Sequence, residues 1–267
     1  MKIGVSYNLW KGEELLKYSI KSIREHVDYI VVVYQNLSNF KQDRKDLLPF
    51  LEGLLFEELI DDVIFYEPDF ENVENKFWGI HNELIKRNLG LKKCLTEGCT
   101  HLIDLDTDEI YDTDQFIKAK EMVMQMGYDG SFCQNITYYK FPNCVIEPAE
   151  TKYTPFIYKI NSNSKFEPIA NESFPVLTDG KRRVKSPYVY VFPRSELELH
   201  HFSYVRNNDK ELKLKFENCS SKMNFTKERT KEILNVYNNF QIGEEVIFGL
   251  DETYKTKEVE NKFNITL

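Results

Sequence analysis

The 267-residue chain has only 11 glycines and contains neither GxGxxG nor GxxxxGK(S/T). The backbone donors of the dinucleotide and P-loop mechanisms are therefore missing, and any phosphate must be met by side chains or a metal. Its five cysteines, Cys94, Cys99, Cys133, Cys144 and Cys219, include no CxxC pair. An odd count without such pairs excludes a disulfide framework and a zinc knuckle, leaving reduced, mostly buried thiols. No run of about 18 apolar residues occurs, and the first residues, MKIGVSYNLW, lack the charged-then-apolar pattern of a signal peptide. A cytoplasmic protein with no transmembrane segment is expected, so the sequons at Asn135 and Asn171 carry little weight. Basic residues are also short, 35 against 43 acidic for a net charge of -8. No nucleic-acid partner is expected, because binding one takes a basic face that displaces counterions.

Apolar material is plentiful, at 42% hydrophobic and 14% aromatic residues, enough for a substantial core. KIGVSYN reads as a strand, and Leu16, Ile20, Ile23 and Val27 recur with helical spacing. YIVVVY at Tyr29 to Tyr34 is apolar and β-branched throughout, the mark of a strand buried on both faces. The alternation continues with a helix around Leu47 to Leu55, a strand at Val63 to Tyr66, a helix at Asn75 to Leu91 and a strand at Thr100 to Leu105. This order predicts an α/β fold, a mostly parallel sheet flanked by helices. After a helix near Asp114 to Met126 come the strands SFCQNITYYK, FIYKI and YVYVF, which predict a mixed or antiparallel extension. Residues 1–206 are expected to form the main domain and 207–267 a helical extension packed on it, with KTKEVENKFNITL loosely ordered.

The segment HLIDLDTDEIYD carries Asp104, Asp106, Asp108 and Glu109 out of an apolar strand. Ligands bind beyond the carboxyl ends of strands in open α/β sheets, which is where this cluster falls. The chain is expected to turn near Leu105 to Asp108 if two or more carboxylates share a cation. An EF-hand loop from Asp104 would need Gly at its sixth position and Glu at its twelfth, where Glu109 and Gln115 stand. A haloacid-dehalogenase-type phosphatase would need Thr or Val where Asp108 stands, and an earlier strand.

The β/α order, the helix carrying Arg87-Asn88-Leu89-Gly90-Leu91 and the strand ending in Asp-x-Asp-Glu resemble the GT-A glycosyltransferases of the family-2-like group, over roughly residues 2 to 206. The resemblance implies a Rossmann-like GT-A fold and a hexosyl- or pentosyltransferase. Its donor would be a nucleotide sugar, a UDP- or GDP-sugar, and its acceptor a hydroxyl on a glycan or other molecule. The family's metal motif falls on Asp106 and Asp108, holding Mn2+ or Mg2+ against the donor diphosphate, with Asp104 in support. HHFSYVR resembles the family's late histidine segment, which makes His201 a third metal ligand, ahead of His200. Ser6, Tyr7 and Asn8 fall where the family receives base and ribose, and Trp10 beside them is a lid or plain packing.

Lys76, Trp78, His81 and Arg87 are further donor-side candidates. Arg206, Lys213 and Lys215 would meet the diphosphate, and Lys181, Arg182, Arg183 and Lys185 line a phosphate or acceptor cleft or form a solvated turn. A general base that deprotonates the acceptor is sought among Glu172, Asp179, Glu196 and Glu198. A metal-dependent phosphatase or nucleotidyltransferase, or a noncatalytic carbohydrate-binding module, are the alternative readings.

Overall fold

A computed structural model describes residues 2–169, 174–219, 225–248 and 252–267. The expected α/β architecture is observed: β1 (Ile3–Leu9), α1 (Glu13–Ile23), β2 (Tyr29–Tyr34), α2 (Leu48–Phe56), β3 (Asp62–Phe65), α3 (Trp78–Thr96) and β4 (His101–Asp106) alternate. All seven residues of β1 and all six of β2 are buried, which explains why both read as continuous apolar runs. β3, β2, β1 and β4 lie side by side and parallel. Their carboxyl ends share one edge of the sheet.

Beyond β4 the sheet becomes mixed. β5 (Glu109–Tyr111) and α4 (Thr113–Met126) lead to the long β6 (Gly130–Tyr139), followed by β7 (Cys144–Glu147), β8 (Tyr153–Lys159), β9 (Val189–Val191) and β10 (Glu198–Tyr204). The sheet runs β11 (Val246–Phe248), β12 (Glu252–Glu258), β7, β6, β8, β4, β1, β2, β3, with β9 and β10 on β6 and β5 on β10. α4 starts where the Asp112 carboxylate accepts from the Gln115 amide at 2.9 Å, and it ends at Gly127 with φ 68°.

The last 61 residues depart from an all-helical extension. α5 (Asp209–Asn218) and α6 (Lys227–Asn239) are present, but β11 (Val246–Phe248) and β12 (Glu252–Glu258) follow them. β12 pairs antiparallel with β7 through Lys255 to Glu258. The first four residues of the segment expected to be loose, Lys255 to Glu258, thus belong to a sheet strand, and beyond it Ile265 is buried while Phe263 meets Phe202 edge-on. Charge masked this strand, because it lies near a sheet edge where alternate side chains reach water. Among the described residues no helix is long and apolar enough to cross a membrane.

α3 lies close over the sheet because Gly90 faces Ser6 and Val33. A Cβ there would fall on the Ser6 hydroxyl and 3.4 Å from Val33. Gly90→Ala is expected to cost about 1–3 kcal/mol through overpacking. Chemical denaturation measures this, and Ser6→Gly in the same chain should recover most of the loss.

Candidate functional site

Asp104 and Asp106 are two apart on β4 and so share a face. Both meet Arg87 of α3, a side chain with 0% exposure. Arg87 binds Asp104 closely, Asp106 at 3.0 Å and Glu83 at 2.6 Å. Arg182, on a 3-10 turn at Gly180–Arg182, reaches the same place, donating to Glu109 at 2.5 Å and to the Asp104 carbonyl. Burial pushes the Asp104 and Glu109 carboxyls upward, and the guanidiniums oppose it. Glu109 also accepts from the Asp106 amide at 2.9 Å, which fixes the end of β4. Asp106 is the most exposed member of this group, with its side chain 40% exposed against 14% for Glu83.

The chain turns at Thr107 and Asp108, as expected. The Thr107 hydroxyl donates to the Lys11 carbonyl at 3.0 Å. Gly12, at φ 93°, lies against that hydroxyl, so the close approach and the left-handed backbone both call for glycine. The turn carries Asp108 away from Arg87. Its Oδ2 accepts from Arg206 at 2.5 Å and Lys215 at 2.9 Å, while Oδ1 lies 3.8 Å from His201 Nε2. Burial works to raise the Asp108 pKa, but Lys215, Arg206 and His201 hold it well below the carboxylate range. α5 delivers Lys215: the Asn208 side chain caps that helix at the Glu211 amide, and the lysine also bonds Ser203.

These groups open onto a cleft of about 300 Å³. Asn8, Trp10 and Asn39 line it beside Asp106, Asp108, Asp179, His201, Arg206 and Lys215, with Lys86 from α3. Asp179 pairs with Lys181 at 2.9 Å, and Lys181 reaches Glu83 at 3.3 Å. Two clasps join α5 to the N-terminal half across the opening, Lys11 with Glu211 and Asn218 with Gln42.

Of the residues singled out from sequence, Asn8, Trp10, Asp106, Asp108, Asp179, Lys181, His201, Arg206 and Lys215 line this cleft. Arg87 and Asp104 lie directly behind it. The others lie elsewhere. Ser6 is packed under Gly90, and Tyr7 is in the core with its hydroxyl on Ser19 at 2.8 Å, and neither lines this cleft. Lys76 is half-exposed beside Glu74, and Lys213 points outward near Glu217. Glu198 pairs with Arg194 at 2.6 Å, and Glu196 accepts from Tyr190. His200 is buried against Tyr138, His81 pairs with Asp69, and Arg183 bonds the Thr178 carbonyl. Glu172 lies outside the described residues.

Lys86 and Asn39 were not foreseen, nor was the structural work of Arg182 beneath the cluster. Helical spacing offered one signal, since Lys86 lies four residues before Gly90 on the inward face of α3.

Among the described residues, no group of three or more His, Cys, Asp or Glu side chains is arranged to hold a metal alone. The side chains of the cleft that could hold a hard cation together with a ligand are Asp106, Asp108 and His201. Asp108 Oδ1 and His201 Nε2 face each other with Asp106 nearby, and Mg2+-like ions commonly take one or two carboxylates plus phosphate oxygens and water.

The chain matches no family model and no curated protein. It is similar in fold to solved structures of S. aureus TarS. One crystal structure of TarS shares 13% identity at a TM-score of 0.47, covering 90% of this chain and 44% of the other. A structure of TarS 1–349 shares 13% at a TM-score of 0.49, covering 90% and 71%. The complex of TarS 1–349 with UDP-GlcNAc shares 12% at 0.46, covering 90% and 72%. The chain thus spans less than half the length of the first of these proteins.

Proposed function

We propose that the chain is a GT-A-type glycosyltransferase that moves a sugar from a nucleoside diphosphate donor, a UDP- or GDP-sugar, to a hydroxyl acceptor such as a glycan. One observation supports this above the others: Arg206 and Lys215 converge on a single carboxylate oxygen of Asp108 at the mouth of a cleft. Two cations against one carboxylate leave positive charge to spare. A departing nucleoside diphosphate develops negative charge, and preorganised cations stabilise it without reorganising.

Arg206 is the better placed of the two for this task, because its carbonyl-anchored guanidinium is held by Phe202 and Val205 and can turn a fork of donors to phosphate oxygens. Mn2+ or Mg2+ held by Asp108 and His201, beside Asp106, would supply further neutralisation of the diphosphate. Asp106, exposed and fixed by Arg87, accepts hydrogen bonds from donor hydroxyls. Asp179 is the carboxylate of the cleft that serves as general base, taking the proton from the acceptor hydroxyl as its oxygen attacks the anomeric carbon.

Donor binding raises the melting temperature through linkage, so UDP-, GDP-, CMP- and dTDP-sugars are to be compared by thermal shift with and without Mn2+. A shift with a UDP- or GDP-sugar that grows with Mn2+ is expected. No shift with any nucleotide sugar, or phosphate release without a sugar acceptor, would contradict the reading. Asp106→Ala and Asp108→Ala are each expected to abolish Mn2+-stimulated transfer. Asp179→Asn should lower kcat about 10²- to 10⁴-fold in a transfer assay, whereas Glu198→Gln, outside the cleft, should leave it near the parent rate.

A further inference from the structure

Among the described residues, every cation that lines the cleft has a carboxylate partner within ion-pair distance, with one exception. Lys11 pairs with Glu211, Lys181 with Asp179 and Glu83, and Arg206 and Lys215 with Asp108. Lys86 lines the same cleft at 5% exposure and makes no hydrogen bond or ion pair among the described residues. Burial, the largest effect, pushes its pKa down to about 8, while Glu83 and Asp106 favour its charge from a distance without bonding it, so its buried donors stay costly. A ligand oxygen would complete it.

The position of Lys86 indicates which oxygen. One turn later on α3, Gly90 rests on Ser6 of β1 and Val33 of β2, so Lys86 overlies the carboxyl ends of those two strands. In the sheet, β1 and β2 lie on one side of β4, while β10, which carries His201, lies beyond β8 on the other. Arg206 and Lys215 occupy that second side. The first side offers the neutral amides of Asn8 and Asn39. Asn8 donates to Asp104 at 3.3 Å, which leaves its buried carbonyl oxygen without a partner. A region where Trp10 and two amides stand with one unbonded ammonium, Lys11 being held by Glu211, suits a heterocyclic base, while the diphosphate suits the end with Arg206 and Lys215.

We propose that Lys86 reads the base of the donor nucleotide by donating to a ring carbonyl oxygen, so that the cleft accepts keto bases and refuses amino bases. The inference rests on the nucleoside diphosphate reading above. An ammonium offers three donors and no acceptor. The 4-oxygen of uracil or thymine and the 6-oxygen of guanine accept from it. The exocyclic amines of cytosine and adenine present donors at the same place and leave the ammonium buried and unpaired, a mismatch that sites built around a hydrogen bond discriminate strongly.

Calorimetric titration with UDP, GDP, CDP, ADP and inorganic pyrophosphate tests this on the parent protein, Lys86→Met and Lys86→Gln. The parent is expected to bind UDP or GDP at least about tenfold tighter than CDP and ADP. Lys86→Met should erase that preference while binding pyrophosphate as the parent does, which also reports an intact fold. Lys86→Gln, able to donate and accept, should gain affinity for CDP relative to the parent. An unchanged base ranking in both variants overturns the proposal, as does an equal loss of pyrophosphate and UDP binding, which would place Lys86 on phosphate. Failure of the parent to bind any nucleotide overturns the donor reading itself and this inference with it.

Discussion

Two buried carboxylates, Asp104 and Glu109, exist at the end of β4 only because two guanidiniums are buried with them. A lone carboxylate in that place would take up a proton, and removing one member of such a cluster typically costs about 3–5 kcal/mol through the charge left behind. Arg87 arrives from α3 and Arg182 from the 3-10 turn at Gly180–Arg182, so the cluster ties three parts of the chain to one strand end. The same forks bind carboxylates, a main-chain carbonyl and, through Glu109, the Asp106 amide. Geometry at the cleft floor is therefore set by charge neutralisation beneath it.

This constraint divides a run of four acids into different roles. Asp104 and Asp106 share the α3 face of the strand, yet one is buried and the other half-exposed because the strand ends between them and water. The turn at Thr107 carries Asp108 to the β10 and α5 side, where its cations come from Arg206 and Lys215. Glu109 begins β5 and faces inward to Arg182. A sequence window that treats the run as one acidic patch averages over an inward pair and an outward pair.

Local pattern carried the parallel half of the fold well, since β1, β2 and β4 are buried on both faces and α1 shows an apolar stripe. It placed the end of β4 at Leu105, one residue short of Asp106, because Asp is a poor strand former and the turn follows at once. It failed where tertiary position overrides local signal. Tyr7 falls where the resemblance places base and ribose, but full burial of β1 turns it into the core. Lys213 and Lys215 are equivalent by composition, and only the rotation of α5 decides which faces Asp108. β12 was obscured by its lysines and glutamates, because pairing with β7 is a property of the partner strand as much as of the segment.

The cleft and its rim draw on distant parts of the chain, with Lys11 and Glu211 separated by 200 positions and Gln42 and Asn218 by 176. Such contacts look improbable from spacing, yet the entropy of closing a loop grows only logarithmically, by about 0.6 kcal/mol for each doubling of length. Once the central sheet has formed, α5 needs little more free energy to dock over β4 than a nearby segment would. The stretch beyond Arg206 is then no appendage: it supplies Lys215 to Asp108 and both clasps across the cleft. Asp108 without that helix would keep Arg206 and lose the second cation, and with it the surplus positive charge on which the proposed chemistry rests.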